Sequence, residues 1–387
     1  MEFIDLKAQQ LQLTPQGITV REDIEKRIQS VLDHGKYILG PEVAQLEREL
    51  ASYVGVKYCI GVSSGTDALL IALMALDIGS GDEVITTPFS FFSTVETILL
   101  LGAKPVFVDI DELTYNIDPN QIEKAISKKT KAIIPVSLYG QPADFHKINK
   151  IGEAYKIPII EDGAQSFGST HHMLKSCGLS TIGATSFFPS KPLGCYGDGG
   201  ACFTNDEELA KTMREISLHG QNKRYHHRKV GLNGRLDTLQ AAVLISKLSV
   251  FDVEVEARMK VGERYTEQFK KNGFKKVPFI SPNNTSVYGQ YTIQVNDREK
   301  VISNMKSKGI PTSVHYPSLL PDQEALKNLD SKNKSSLKNL FSRKSFKSYS
   351  IDNAKEIARK VLSLPMHPLL KAEDQDLVIN SLLESIN

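Results

Sequence analysis

The chain has 387 residues, of which 41% are hydrophobic and 24% charged, and its formal net charge at pH 7 is +2. Such a composition is typical of a globular protein with room for two domains, and the near-neutral charge does not favour nucleic acid or an acidic membrane as a partner. No apolar run approaches the roughly 20 residues of a membrane span, and the first residues lack the order of a signal peptide. The four cysteines show neither metal-ligand nor disulfide spacing. We therefore expect a cytoplasmic protein without a metal site.

Helical periods and short apolar runs alternate along most of the chain. Helices are predicted over residues 20–34, 42–54, 63–76, 92–101, 119–127, 145–155, 207–217, 237–250, 251–271 and 301–308. Strands are predicted over residues 58–62, 83–87, 104–108, 132–136, 158–162, 288–295 and 312–316. Continuous apolar strands separated by helices predict an α/β fold with a mostly parallel sheet covered on both faces.

The pattern changes towards the C-terminus. The charged helix 251–271 is typical of a linker, and beyond residue 277 the elements indicate a smaller α+β unit. We therefore predict a large domain over residues 1–250 and a small domain over residues 251–387. Residues 331–350 are rich in lysine and serine, which favours a solvated loop.

Two charged residues stand out because ligands of parallel sheets bind at the carboxyl ends of strands. Asp162 ends a predicted buried strand, and Lys191 lies in an apolar turn before a glycine-rich stretch. A lone lysine is in most proteins a solvated surface charge, and a lone aspartate at such a place is often a helix cap. Together, a buried lysine and a carboxylate are what pyridoxal phosphate (PLP) needs: an amine to form the Schiff base and an anion against the pyridine nitrogen.

Three further groups could surround the same ligand. Gln165 lies about one helical turn after Asp162. The stretch from Ser63 to Thr66 opens a helix directly after a strand, so it is either a capped helix start or, together with Ser186, a phosphate seat. One of the phenylalanines after Pro88 could stack on a flat ring, although aromatic residues at such places usually belong to the core.

Seven segments, taken together, resemble the DegT-type nucleotide-sugar aminotransferases, and they cover nearly the whole chain in the family's order. They are IDL at 4–6, SSGTDAL at 63–69, EDGAQS at 161–166, SFFPSK at 186–191, GLNGRLDTLQAA at 231–242, HYP at 315–317 and LPMHP at 364–368. The segment from 321 to 350 departs from the family's pattern because it is longer and more basic.

The resemblance implies a PLP-dependent transferase of fold type I, with a seven-stranded sheet in the large domain and a homodimer whose active sites are shared. It implies that Lys191 is the Schiff-base lysine and proton shuttle, and that Asp162 binds the pyridine nitrogen. The implied cofactor contacts are Ser64, Gly65, Thr66, Phe92, Gln165, Ser186 and, from the partner subunit, Asn233. The implied substrate contacts are Arg235, His315 and Tyr316.

The resemblance also implies the reaction. L-Glutamate would donate the amino group, and a nucleotide-linked keto sugar would accept it, for surface polysaccharide or lipopolysaccharide biosynthesis. Residues 185–201 are most similar to family members that act on UDP-2-acetamido-3-oxo sugars, with the glucuronate type favoured. Three alternatives stay open: an aminotransferase for dTDP-3-oxo- or 4-oxo-6-deoxyhexoses, a PLP-dependent dehydratase, and a PLP-binding regulatory protein without catalysis. Lys191 argues against the dehydratase, because the resemblance to that branch of the family implies a histidine in place of the Schiff-base lysine.

Overall fold

The computed structural model of the chain describes residues 1–331 and 349–386. Its strands are β1 (Tyr58–Val62), β2 (Glu83–Thr86), β3 (Lys104–Phe107), β4 (Thr130–Ile134), β5 (Ile160–Asp162), β6 (Thr170–His171), β7 (Leu174–Lys175), β8 (Ile182–Ser186), β9 (Gly200–Thr204), β10 (Gln221–Lys223), β11 (His226–His227), β12 (Tyr291–Gln294) and β13 (Val361–Leu364). Its helices are α1 (Leu6–Gln9), α2 (Val20–His34), α3 (Pro41–Val54), α4 (Gly65–Ala75), α5 (Ser93–Leu100), α6 (Pro119–Ala125), α7 (Phe145–Tyr155), α8 (Glu207–Ser217), α9 (Thr238–Leu248), α10 (Phe251–Lys271), α11 (Arg298–Ser307), α12 (Glu324–Ser331), α13 (Asp352–Lys360) and α14 (Ala372–Ile386). The segment predicted as a solvated loop lies outside the described residues between 332 and 348.

Seven of the strands form one layer, which is the number that the family resemblance implies. One ladder has the order β1-β9-β8-β5 and the other has the order β3-β2-β4. Two parallel bridges, Ile133 to Ile159 and Val136 to Asp162, join β4 to β5. Strand β9 runs antiparallel to both of its neighbours, and the remaining pairings in the two ladders are parallel. The mostly parallel seven-stranded sheet is therefore confirmed.

Helices cover both faces of this sheet because successive strand residues point to opposite sides. In β9, Cys202 packs into the core under α4 and α8, whereas Ala201 and Phe203 pack into the core under α3 and α9. Both faces of the strand are thus apolar, which explains the continuous hydrophobic runs in the sequence.

The C-terminal elements share another core. The first half of α10, with Phe251 and Val255, packs with α3 and α9. Its second half, with Val261, Tyr265 and Phe269, packs with α11, β12, β13 and α14. Helix α10 therefore contributes to both cores, and the division of the chain at residue 250 stays a prediction.

Two predicted strands need correction, and two strands of the main sheet were missed. The strand predicted over residues 312–316 is wrong: Ser313 makes one antiparallel bridge to Ser363, and the ladder stops there. Pro317 has no N–H to extend it, and the carbonyl of His315 accepts a hydrogen bond from the Tyr139 hydroxyl instead. Strand β12 begins later than predicted, since Tyr288 has a left-handed φ of 43°. Strands β8 and β9 were not predicted, because their glycines and alanines lack the β-branched signature of a strand.

Candidate active site

Asp162 and Lys191 come together at the edge where β5 and β8 end. Asp162 is the last residue of β5, and Lys191 lies five residues past the end of β8, the parallel neighbour of β5. Burial lowers the pKa of Lys191, against which the carboxylate of Asp162 acts in the opposite direction. The two side chains are thus within electrostatic reach of each other, as the sequence predicts.

The carboxylate of Asp162 is buried, with 5% of the residue exposed. Its Oδ2 accepts a hydrogen bond from the Thr94 hydroxyl at 2.9 Å, and its Oδ1 accepts one from the amide of Ala164 at 3.2 Å. Burial raises the pKa of Asp162, while these hydrogen bonds and the charge of Lys191 lower it. Thr94 was missed in the sequence, where its only signal is its place two residues after Phe92 at the start of α5.

The amine of Lys191 has no hydrogen bond or ion pair to any residue in the described ranges. Its main chain, in contrast, is anchored, because the amide donates to the carbonyl of Phe188 at 2.8 Å. An anchored backbone and an unpartnered amine with a lowered pKa are the properties of a lysine that reacts as a nucleophile or base.

Ser64, Gly65, Thr66 and Ser186 meet at the start of α4. The hydroxyl of Ser64 accepts from the amide of Asp67 at 3.0 Å and so caps the helix. A Cβ added to Gly65 would lie 2.5 Å from the Cβ of Ser186, so the helix start and the end of β8 are in direct contact. The first amides of a helix lack intrahelical partners, and with the helix dipole they favour an anion.

A further group near Asp162 and Lys191 consists of Gln165, His315 and Tyr316. Gln165 is buried; its Oε1 accepts from the amide of Tyr139 at 2.7 Å, and its Nε2 donates to the hydroxyl of Tyr316 at 2.9 Å. Burial and the charge of Lys191 lower the pKa of His315 to about 4, so its ring is neutral at pH 7. The electrostatic influence of Lys191 on His315 and of Asp162 on Tyr316 places this segment beside the central pair.

The remaining predicted site residues are Phe92, Asn233 and Arg235. Phe92 is partly buried and packs against a small cluster that contains Val95. Asn233 is exposed, and the carbonyl of its neighbour Gly234 accepts from the amide of Ser63 at 3.2 Å, which brings this segment to the start of α4. Arg235 has a buried Nε without a hydrogen-bond partner in the described part of the chain.

Membrane and metal sites receive no support from residues 1–331 and 349–386. No helix there combines the length and the apolarity that crossing a bilayer requires. No group of three or more histidine, cysteine or acidic side chains there could hold a metal ion.

Comparison with known families decides the class of protein. The profile of the DegT/DnrJ/EryC1/StrS aminotransferase family matches residues 19–383. The chain belongs to this family. It is therefore an aminotransferase-family protein of fold type I, and the predicted resemblance is confirmed.

Two curated relatives illustrate the range of the family. The chain is 53% identical to the UDP-2-acetamido-2-deoxy-3-oxo-D-glucuronate aminotransferase of Pseudomonas aeruginosa, over 96% of each chain. It is 40% identical to a protein of Geobacillus stearothermophilus named pleiotropic regulatory protein, over 99% of this chain and 97% of the relative.

Two crystal structures show the same fold. A DegT/DnrJ/EryC1/StrS aminotransferase from Brucella abortus is 38% identical, with a TM-score of 0.90 over the full length of both chains. The Bacillus subtilis protein NtdA, whose structure holds the cofactor PMP, is 32% identical, with a TM-score of 0.86 over 100% of this chain and 85% of NtdA.

Proposed function

We propose that this protein transfers the amino group of L-glutamate to C3 of a UDP-2-acetamido-3-oxo sugar, with the glucuronate as the favoured acceptor. The unpartnered amine of Lys191 beside the buried carboxylate of Asp162 carries the proposal of catalysis. The 53% identity to the Pseudomonas aeruginosa enzyme supports the choice of acceptor.

PLP is the cofactor of this family, and the described residues fit it. Asp162 is a buried carboxylate whose pKa burial raises and the charge of Lys191 lowers. No residue in the described ranges forms an ion pair with this carboxylate, so it can take a cationic partner. A protonated ring nitrogen supplies that partner. The amides of Gly65 and Thr66 and the hydroxyl of Ser186 offer the donors that a phosphate requires. When bound, PLP supplies the electron sink that stabilises the carbanion of the amino acid.

Lys191 and Asp162 are the proposed catalytic residues. The Nζ of Lys191 would accept the proton from the Cα of glutamate and would deliver it to C4′ of the bound cofactor, so that the amino group stays on the cofactor. Burial favours this role because it lowers the pKa of the amine towards the working pH. Asp162, oriented by the Thr94 hydroxyl, keeps the ring nitrogen protonated.

The other contacts have separate roles in this proposal. Ser64, Gly65, Thr66 and Ser186 bind the phosphate. Phe92 would stack on the cofactor ring, and Gln165, whose Nε2 donates to the Tyr316 hydroxyl, would contact the edge of that ring.

The sugar is bound by His315, Tyr316 and Arg235. The low pKa of His315 keeps it neutral, so it recognises hydroxyl or amide groups rather than an anion. Arg235, with its unpaired Nε, is the candidate partner of a C6 carboxylate, which a guanidinium binds with two parallel hydrogen bonds.

We further propose a cytoplasmic homodimer that works in surface polysaccharide or lipopolysaccharide biosynthesis. The role of Asn233 in the dimer follows from the family resemblance, and its exposed side chain leaves it accessible to a second chain. It would contact the phosphate bound in the partner subunit.

A coupled assay tests the acceptor. PLP-loaded protein is mixed with L-glutamate and, in separate reactions, with UDP-3-oxo sugars that carry either a C6 carboxylate or a C6 hydroxyl and with dTDP-keto sugars. The amino sugar is detected by mass spectrometry. Amination of the carboxylated sugar alone supports the glucuronate. Amination of the neutral sugar alone, or of dTDP-keto sugars alone, contradicts this choice of acceptor.

Substitution of the central pair tests the catalytic roles. Lys191→Ala should abolish turnover in a folded protein, and Asp162→Asn should retain some cofactor binding but lose most of the activity. A wild-type protein that binds PLP but does not convert it with glutamate would instead favour a regulatory protein. Retained turnover in Lys191→Ala would exclude Lys191 as the base.

Mixed dimers test whether Asn233 acts on the partner subunit. Lys191→Ala and Asn233→Ala chains are co-expressed with different tags. If each site combines Lys191 of one chain with Asn233 of the other, random pairing restores one intact site in half of the dimers, or about a quarter of the wild-type activity. If both residues act within one chain, no activity returns.

A further inference from the structure

Lys247 is a buried lysine to which neither the proposed reaction nor the sequence patterns give a role. It lies in the last turn of α9 and is only 4% exposed. Its Nζ donates a hydrogen bond to the carbonyl oxygen of Gly194 at 2.5 Å. Gly194 follows Lys191 by three residues. Both lie in the connection between β8 and β9, residues 187–199, which we call the Lys191 turn.

Hydrogen bonds and close contacts within this turn couple the position of Gly194 to that of Lys191. The amide of Lys191 donates to the carbonyl of Phe188 at 2.8 Å, and the amide of Cys195 donates to that of Phe187 at 2.8 Å. A Cβ added to Gly194 would lie 2.4 Å from the carbonyl oxygen of Pro189. There is therefore little room for one end of the turn to move without the other.

Lys247 is also linked to the N-terminal segment, through the electrostatic effect of Glu254. Glu254 on α10 is 3% exposed and acts electrostatically on Lys247. Its carboxylate accepts from Gln9 at 2.8 Å and from Gln12 at 2.5 Å. The ammonium of Lys247 also lies 5.6 Å from the centre of the Tyr196 ring, in the same turn as Lys191.

The alternative explanation is that Lys247 only fills space in the core. Burial lowers its pKa to about 8, so keeping a charged amine here costs free energy that an apolar side chain of the same length would avoid. If this position only had to be filled, methionine or leucine would be more favourable, because they bury no polar group. The hydrogen bond to a main-chain carbonyl of the Lys191 turn gives the buried amine a structural role.

We propose that Lys247 is a positioning residue: its hydrogen bond to Gly194 holds the turn that carries Lys191 in the orientation in which the Lys191 amine faces Asp162. This inference rests on the proposed role of Lys191. Small displacements of a reacting group are costly, since a shift of about 1 Å can lower a rate by about a hundredfold.

The variants are Lys247→Met, which removes the donor and keeps the length, and Lys247→Arg, which keeps the charge and donors. Lys175→Met is the matched control. Lys175 also lies over a tyrosine ring, that of Tyr53, and it pairs with an aspartate on α10. Within the described residues it has no recorded contact with the Lys191 turn. For Lys247→Met we expect the attachment of added PLP to Lys191, followed by reductive trapping, to slow about tenfold or more. We expect kcat with glutamate to fall by at least as much while KM changes less than about twofold. Lys247→Arg should recover most of both losses, and Lys175→Met should match the wild type.

Hydrogen exchange separates positioning from a general loss of structure. In Lys247→Met, the peptide 187–199 should exchange about tenfold faster or more, while the strands of the main sheet keep their protection. Unchanged attachment and exchange would overturn the proposal. So would faster exchange throughout the chain with equal losses in Lys247→Met and Lys247→Arg.

If Lys247→Met does not fold, Glu254→Gln takes its place, since it removes the negative charge that acts on Lys247. The glutamine oxygen keeps one of the two contacts with Gln9 and Gln12, and the other is kept if that neighbouring glutamine turns its amide over to present its oxygen. Here we expect a loss of attachment rate of about threefold, again confined to the turn, and an unchanged rate would overturn the proposal. Attachment and exchange need no sugar. A wild-type protein that fails to aminate any sugar would therefore refute the proposed acceptor and leave this test intact.

Discussion

Replacing Glu161 by glutamine is expected to stabilise the protein in alkaline solution but not in acid. Glu161 precedes Asp162 in β5 and is completely buried. Its Oε1 accepts from the hydroxyls of Ser176 at 2.6 Å and Ser137 at 3.1 Å, and its Oε2 accepts from the amide of Cys177 at 2.7 Å. A glutamine satisfies the same partners, because its oxygen accepts from the amide and its NH2 donates to the two hydroxyls, which accept as well as donate.

The magnitude follows from the pKa. Burial raises the pKa of Glu161 from 4.5 to about 7, and the hydrogen bonds only partly oppose this. Between these two pH values the folded chain holds a proton that the unfolded chain has lost, so the free energy of unfolding falls as the pH rises. At about 1.4 kcal/mol for each pKa unit, this group destabilises the protein by about 3 kcal/mol once the pH exceeds 7, relative to pH values below 4.5. Glutamine does not titrate and removes this loss.

Urea unfolding measures the effect at pH 5 and pH 8.5, with the same protein and PLP concentrations throughout. The free energy of unfolding of Glu161→Gln relative to the wild type should be higher at pH 8.5 than at pH 5 by about 2.5 kcal/mol, because part of the full effect is already lost at pH 5. Glu153→Gln is the control, because it makes the same chemical change at an exposed position of α7. A difference that does not vary with pH would refute the reasoning that burial governs the protonation of Glu161.

Two other substitutions test the packing of the site. Thr94→Val removes the hydroxyl that orients Asp162 and should weaken PLP binding about tenfold in equilibrium dialysis, whereas Thr94→Ser keeps the donor and should bind normally. Equal affinities in the two variants would contradict this role. Gly183→Ala would place a Cβ 2.1 Å from a backbone carbonyl oxygen, so it should destabilise the fold by about 3 kcal/mol or more in urea unfolding. Gly79→Ala, at a position with no atom within 4 Å, should change stability by less than about 1 kcal/mol, and a similar effect of both changes would disprove the steric argument.

Local sequence signals were sufficient for most helices. The bounds predicted for Val20–His34, Phe145–Tyr155, Glu207–Ser217 and Phe251–Lys271 match the structure at both ends. Three of these four helices have a side chain at the N-cap that accepts from the first turn, and such caps act over three residues. Helix periodicity and capping are properties of neighbours in the chain, so the sequence alone reveals them.

Strands that depend on distant partners were harder to predict. Strand β8 contains Gly183, which the close backbone of residue 177 requires, and β9 begins with Gly200, which packs against Ser64. Neither residue favours a strand by itself. Their extended conformation follows from the pairing of β8 with β9 and β5, which brings together residues far apart in the chain.

The sequence by itself determined the family, the alternation of strands and helices, the position of Asp162 at a strand end, and the position of Lys191 in an apolar turn. It could do so because these features depend on residue types and short spacings. Only the tertiary structure decided that Thr94 orients the carboxylate, that the amine of Lys191 stays unpartnered, and that Lys247 reaches the carbonyl of Gly194. Hydrogen bonds between residues more than 50 positions apart, and the burial that shifts a pKa, arise from packing across the whole sheet, and no local pattern encodes them.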